Sequence, residues 1–242
     1  MEREHILVRP NKIELLAGSI YLPFYMFLMQ FILSGLLQRL SAHFPVPTGA
    51  IALNMAFQIV AALYLTAFMW KYLKESWFSF IRGGISGLWA ILLGYAIRII
   101  GAIPIAMVTV ILFPDLPSPN NDAVIEMVRA NFWPTFLLAV VFAPVVEELL
   151  FRGVLFAPLR KYGRILAYAV SCLAFALVHV LNPLLFDYSP LLFITALLYI
   201  PPGIALCWVY EKTGSIWAAI FLHALNNLIA MLLTLVPPPV MP

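Results

Sequence analysis

The chain of 242 residues is too apolar for a water-soluble protein. Hydrophobic residues make up 64% of it and charged residues only 10%, with a mean hydropathy of +0.99, whereas a soluble domain carries about 25% charged residues. The net charge of +3 comes from basic residues scattered between apolar segments, which argues against nucleic acid as a partner. Both cysteines lie within apolar segments, which excludes a disulfide framework and a four-cysteine metal site.

Seven apolar segments are each long enough to cross a bilayer as an α-helix, which needs about 20 residues. The segments are continuously apolar, unlike the alternating strands of a transmembrane β-barrel. We therefore predict an all-α, polytopic transmembrane helical bundle that forms a single integral membrane domain over residues 1–242. The predicted spans lie near residues 15–37, 50–70, 85–112, 133–157, 165–182, 191–210 and 215–236.

The connections between the spans carry turn residues. Prolines follow the first and third spans, Tyr162 and Gly163 follow the fourth, and Asn182 and Pro183 follow the fifth. Residues 121–131 are predicted to add a short amphipathic helix at the membrane surface between the third and fourth spans.

Lysine and arginine are concentrated in alternate connections, and this pattern predicts the orientation. Eleven of the fourteen lie in the N-terminal segment and in the second, fourth and sixth loops. Arg39 and Arg129 lie on the other side, and Arg98 lies within the third span. Because positively charged loops face the cytoplasm, we expect a cytoplasmic N-terminus, a C-terminus on the opposite side, and a pocket that opens at the basic, cytoplasmic end.

Ionisable side chains inside the spans are the first candidates for a functional site, because a charge near the bilayer centre costs at least about 2.5–3.5 kcal/mol. A single intramembrane histidine or asparagine can also serve only to bond a neighbouring helix. A mid-membrane arginine needs a partner, which a glutamate or a helix-end carbonyl would provide. The residues that stand out within the predicted spans are Arg98, Glu147, Glu148, His179, His223 and Asn227.

The two consecutive glutamates have different expected roles. Glu148 precedes Arg152 by four residues, which is the favourable order and spacing for an ion pair on one helix face. Glu147 points about 100° away from that face. Its carboxylate is therefore left available as a base.

Three spans are expected to bring their polar side chains to one depth. Glu147 and His179 each lie sixteen residues from Gly163, hence about 24 Å from the turn at about 1.5 Å per residue. His223 and Asn227 share one face of the seventh span and lie in the same middle zone. In such a pocket Glu147 and His179 can hold a water, and donors from the seventh span can stabilise an oxyanion.

At these residues the chain resembles the CPBP family of intramembrane endopeptidases, the CAAX protease and bacteriocin-processing family, which is related to type II CAAX prenyl protease. Three motifs match in order: EExxxR at 147–152, FxxxH at 175–179 and HxxxN at 223–227. The resemblance covers about residues 133–236 and makes spans four to seven the catalytic core. Residues 1–112 share only hydrophobicity and have no assigned role.

The resemblance implies hydrolysis of a peptide bond inside the membrane by a water that a glutamate activates. The implied substrate is a membrane-embedded or lipidated protein or a leader peptide, and no cofactor is implied. Carried over residue by residue, Glu147 with His179 would activate the water, His223 with Asn227 would form the oxyanion hole, and Glu148 with Arg152 would support the site.

Three alternatives remain open at this point. Glu147 and the two histidines could supply three zinc ligands, although no HExxH motif is present. A non-proteolytic scaffold or bacteriocin-immunity protein would use the same fold to bind a partner. A transporter would use the polar cluster as a proton relay, but it would favour internal repeats, and the sequence shows none.

The orientation can be tested directly. A reporter that distinguishes the two sides of the membrane, fused after Pro242, should report the non-cytoplasmic side, and the same reporter fused before Met1 should report the cytoplasm. A cytoplasmic signal from the C-terminal fusion would show that either the span count or the orientation is wrong.

Overall fold

The protein is a bundle of helices, seen in a computed structural model that describes residues 7–40, 43, 45–186 and 189–235. Within these residues there is no strand, and seven helical stretches are long and apolar enough to span a membrane, so the predicted fold class is confirmed. The two chain ends, on which the orientation depends, lie outside the described residues. The spans are Lys12–Arg39, Thr48–Phe68, Ile85–Leu112, Phe132–Leu159, Arg164–Leu185, Leu191–Thr213 and Ile216–Leu233.

Two amphipathic helices connect spans at opposite ends of the bundle. Pro119–Ala130 is the short helix expected between the third and fourth spans. Trp70–Gly83 forms the basic connection between the second and third spans, and its helical structure was not predicted from the sequence. Its apolar residues are separated by polar ones at helical spacing, which a search for continuous apolar runs does not detect.

Contacts between helix ends place the basic connections on one side of the bundle, here called the basic end. The Val8 N–H donates to the carbonyl of Gly214, which lies between the sixth and seventh spans. Arg160 follows the fourth span and pairs with Glu211 near the end of the sixth. Ser76 of the amphipathic helix Trp70–Gly83 accepts a hydrogen bond from the first N–H of the seventh span. The helix Pro119–Ala130 lies at the other end.

The fourth span is the centre of the bundle. In its most apolar window 56% of the residues are buried, compared with 6% in the third span, which lies at the periphery. The third span still packs closely at Gly94, where a Cβ atom would lie 2.2 Å from Cγ2 of Val209 and 2.8 Å from Cδ2 of Leu222. A glycine here therefore lets the third span approach the sixth and seventh.

Segments of π-helix interrupt the first and fourth spans. Phe24–Leu28 follows Pro23 in the first span, and Leu137–Phe142 and Leu149–Phe156 lie on either side of the two glutamates in the fourth. Such segments are rare and frequently occur at functional sites. The π-helical segments therefore point to a functional site in the middle of the bundle, between the first and fourth spans.

Candidate active site

A fully buried ion pair lies within the fourth span. Nη1 of Arg152 donates to Oε1 of Glu148 at 3.0 Å, and neither side chain has exposed surface. This is the pair that the four-residue spacing predicts. Nη2 of Arg152 donates to the carbonyl of Gly203 in the sixth span at 3.2 Å, and the guanidinium lies 4.5 Å from the centre of the Phe175 ring in the fifth span. The arginine thus connects three spans.

Gly203 allows this connection because of its size. A Cβ atom at this position would lie 3.2 Å from Sγ of Cys172 and 3.3 Å from its Cα, where the fifth and sixth spans touch. The absence of a side chain lets the sixth span come close enough for its carbonyl to accept from Arg152.

His223 of the seventh span shares the same carboxylate. Its Nδ1 lies 2.8 Å from Oε1 of Glu148, and its Nε2 lies 4.0 Å from Oε2 of Glu147. Because an ionised carboxylate only accepts hydrogen bonds, Nδ1 carries a proton. Glu148 therefore has a second partner besides Arg152, which the sequence did not predict, since the carboxylate has enough acceptor sites for both.

Glu147 is buried, and one of its two carboxylate oxygens accepts a hydrogen bond. The hydroxyl of Tyr25 donates to Oε1 at 3.1 Å and accepts in turn from Nε2 of Gln58 at 3.2 Å. Oε2 is buried without a hydrogen-bond partner among the described residues. The first two spans, to which the sequence assigned no role, therefore hold the carboxylate that was expected to act as the base.

Tyr25 and Gln58 are site residues that the sequence reasoning missed. Neither is charged at neutral pH, so a search for ionisable side chains within the spans passes over both. The available signal was Pro23, because a proline inside an apolar segment interrupts the helix and the π-helical segment that carries Tyr25 follows it.

His179 of the fifth span has a defined proton position. Its Nδ1 lies 2.7 Å from the carbonyl of Phe175, and because a carbonyl only accepts, this nitrogen carries the proton and Nε2 keeps a lone pair. The imidazole stacks on Tyr199 with ring centroids 4.2 Å apart. The Phe175 ring lies 4.6 Å from the ring of His179 and 5.6 Å from that of His223, so it contacts both imidazoles.

Asn227 is fixed by the irregular helix opposite. Its Nδ2 donates to the carbonyl of Ala139 at 2.8 Å. In the π-helical segment around Ala139 the N–H of Ala143 bonds five residues back, and the next residue, Pro144, has no N–H to donate. The Ala139 carbonyl is therefore left without a donor from this ladder, and Asn227 supplies one.

Asn226 occupies a different position from its neighbour. Its Nδ2 donates to Oδ1 of Asn227 at 3.2 Å, and its own Oδ1 is buried without a partner among the described residues. Both asparagines line the same cavity. Asn227, the residue that the spacing from His223 favours, is the one bound to the fourth span.

The cavity has a volume of about 520 Å³ and is lined by both histidines, both asparagines and Arg98. It extends to Asn121 on the amphipathic helix Pro119–Ala130 and to Thr234 after the seventh span. These residues lie at the end opposite the basic loops. We expected the pocket to open at the basic end, but the cavity extends toward the opposite end.

Zinc is one of the alternatives that the sequence leaves open. The positions of the possible ligand side chains show whether they fit a zinc ion. No group of three or more His, Cys, Asp or Glu side chains in the described part of the chain is placed to hold a metal ion. Glu147, His179 and His223 each bond to other protein groups. The mechanism below therefore includes no step through zinc.

Residues 129–229 match the family model described as type II CAAX prenyl endopeptidase Rce1-like. The resemblance to this family is confirmed. All three sequence motifs fall within the matched residues. Over 121 residues the chain is also 28% identical to the Bacillus subtilis (strain 168) protein named "Putative membrane peptidase YdiL". That match covers 50% of this chain and 45% of the relative, so the chain spans about half the length of the relative. No solved structure matches the chain.

The two carboxylates should respond differently to mutation. Arg152→Ala should lower the free energy of unfolding by about 3–5 kcal/mol, the cost of breaking a buried ion pair, because Glu148 loses its cation. Glu147→Gln should leave stability nearly unchanged, because the amide oxygen can still accept from Tyr25. Thermal unfolding of the purified protein in detergent measures both effects.

The matched control for this experiment is Arg164→Ala. Arg164 pairs with Glu211 but is 59% exposed, and an exposed pair contributes at most about 1 kcal/mol. A similar loss of stability in Arg152→Ala and Glu147→Gln would contradict the division of roles between the two glutamates.

Proposed function

We propose that the protein is an intramembrane endopeptidase that hydrolyses a peptide bond of a membrane-embedded or lipidated protein, or of a leader peptide, with a water activated by a glutamate. The observation that carries the proposal is the unpartnered Oε2 of Glu147 in the middle of the bundle, beside a cavity lined by two histidines and two asparagines. The family match over residues 129–229 supports the same class of reaction.

Glu147 is the group best placed to take the proton from the attacking water. Tyr25 holds one carboxylate oxygen and leaves the other free. His179 adds a second acceptor, because its protonated nitrogen is bound to the Phe175 carbonyl and its Nε2 is unprotonated. Glu148 also has an oxygen without a hydrogen-bond partner, Oε2, but it is less suitable, since Arg152 pairs with its carboxylate and the side chain is fully enclosed.

His223 is the candidate donor to the oxyanion from the seventh span. Because its Nδ1 donates to Glu148, the donor would be Nε2, which requires a proton on both ring nitrogens. This N–H would be the donor that an oxyanion requires. Glu148 and Arg152 would then act as positioning residues for His223.

Asn227 would supply the second donor. One of its amide hydrogens is held by the Ala139 carbonyl, and the other is free to reach the cavity. In the proposed reaction the water oxygen bonds to the carbonyl carbon and its proton passes to Glu147. The oxyanion is held by His223 and Asn227. The C–N bond then breaks, and the proton moves from Glu147 to the leaving amine.

Substitution of each site residue should reduce cleavage by an amount that depends on its proposed role. Comparing membrane peptides from cells with the wild-type protein and with Glu147→Gln should reveal a product that disappears with the carboxylate. Asn227→Ala should lower the rate of its formation by about 10²–10³, the usual effect of one oxyanion donor, and should retain a trace of activity. Asn54→Ala is the matched control, because Asn54 also donates to a helix carbonyl but lies outside the cavity.

Two outcomes would contradict the proposal. If partner binding or immunity survives Glu147→Gln and no product depends on Glu147, the protein is a scaffold. If chelation abolishes cleavage and zinc restores it, with about one zinc per chain, the protease assignment stands but the metal-free mechanism is wrong.

A further inference from the structure

Arg98 lies in the cavity and has no role in the proposed hydrolysis. It is near the centre of Ile85–Leu112, about 20 Å from either end of that helix at 1.5 Å per residue. Its Nε is buried without a hydrogen-bond partner, and no carboxylate in the described part of the chain forms an ion pair with it. Neither of the two expected partners, a carboxylate of the glutamate pair or a helix-end carbonyl, bonds to Arg98 among the described residues.

The surroundings of Arg98 resemble a binding site for part of a peptide. Its guanidinium lies 5.8 Å from the ring centre of Tyr95, another residue of the cavity wall. The same cavity contains the unpartnered Oδ1 of Asn226, which can accept from a peptide N–H. Leu206 and Leu222 add apolar wall. The cavity thus combines a cation without a counter-ion, a hydrogen-bond acceptor without a donor, and apolar surface.

We propose that Arg98 determines specificity by binding a carboxylate of the substrate, either its C-terminal carboxylate or an acidic side chain near the cleaved bond. Asn226 accepts a backbone N–H of the same peptide. This inference rests on the proposed function, because it places the ligand in the cavity that His179, His223 and Asn227 line.

The depth of Arg98 favours a peptide over a lipid as the carrier of the anion. Lipid phosphates lie at the membrane surface, whereas Arg98 is about 20 Å from both ends of its helix. An arginine without a counter-ion is unfavourable at that depth. A carboxylate carried into the cavity would compensate it, and the planar guanidinium suits a carboxylate better than a lysine would.

Binding of three fluorescent peptides tests the proposal. The peptides share one apolar sequence of six residues and end in a free carboxylate, in an amide, or in an amide with one internal glutamate. Their dissociation constants are measured by fluorescence polarisation on full-length protein in detergent, in the Glu147→Gln background so that no peptide is consumed. At least one carboxylate peptide should bind about ten-fold or more tightly than the neutral amide.

Variants then assign that preference to Arg98. Arg98→Gln should abolish it, and Arg98→Lys should retain part of it. Arg82→Gln removes an exposed arginine that does not line the cavity and should retain it fully. Arg98→Gln should not lower the thermal stability of the unliganded protein, because no ion pair is broken, whereas a structural arginine would show a loss.

The three peptides also distinguish the sources of the carboxylate. Tight binding of the free acid alone indicates a C-terminal carboxylate, and tight binding of the internal glutamate peptide indicates an acidic side chain. Equal binding of all three peptides, no binding of any, or a preference that survives Arg98→Gln would overturn the inference. A preference that depends on Arg98 without any cleavage that depends on Glu147 would contradict the proposed function, and Arg98 would then bind the carboxylate of a peptide that is not a substrate.

Discussion

The buried ion pair between Arg152 and Glu148 is the interaction on which the rest of the site depends. A charge in the middle of a helical bundle requires a close partner of opposite charge. Arg152 and Glu148 provide this for each other within the fourth span. Both also bond to other spans: Arg152 donates to the sixth span at Gly203, and Glu148 accepts from His223 of the seventh. One pair thus fixes the relative positions of three helices. It also leaves Glu147, the next residue along the chain, with an unpartnered oxygen.

Irregular helix geometry completes the site. Pro144 removes an N–H from the fourth span and leaves the Ala139 carbonyl to accept from Asn227. In the first span the π-helical segment after Pro23 carries Tyr25, whose hydroxyl reaches Glu147. Within a membrane no bulk water can satisfy a released backbone group, so another span must do so. The prolines that weaken these two helices therefore also create contacts between spans.

Much of this arrangement could be predicted from sequence because it depends on spacing along one helix. Hydropathy predicts all seven spans, and the four-residue interval between Glu148 and Arg152 predicts their ion pair. The contact of Tyr25 with Glu147 could not be predicted, since it joins residues 122 positions apart and involves no charged group in the first span. The end of the bundle toward which the cavity extends also could not be predicted, because it depends on how the helices pack. Basic residues indicate only which side of the membrane a loop faces. Asn227 was predicted because it shares a helix face with His223. In the structure Asn227 donates to the Ala139 carbonyl, whereas the neighbouring Asn226 donates to Asn227.

The central claim is that Glu147 activates a water instead of attacking the peptide itself, and isotope labelling tests it most directly. A single turnover of the wild-type protein, on a substrate first identified by its Glu147-dependent product, in water enriched in ¹⁸O should place one labelled oxygen in each new product carboxylate and none in Glu147. A first-turnover product without label, together with labelled Glu147 after the intermediate is hydrolysed, would show a covalent acyl-enzyme and contradict the account.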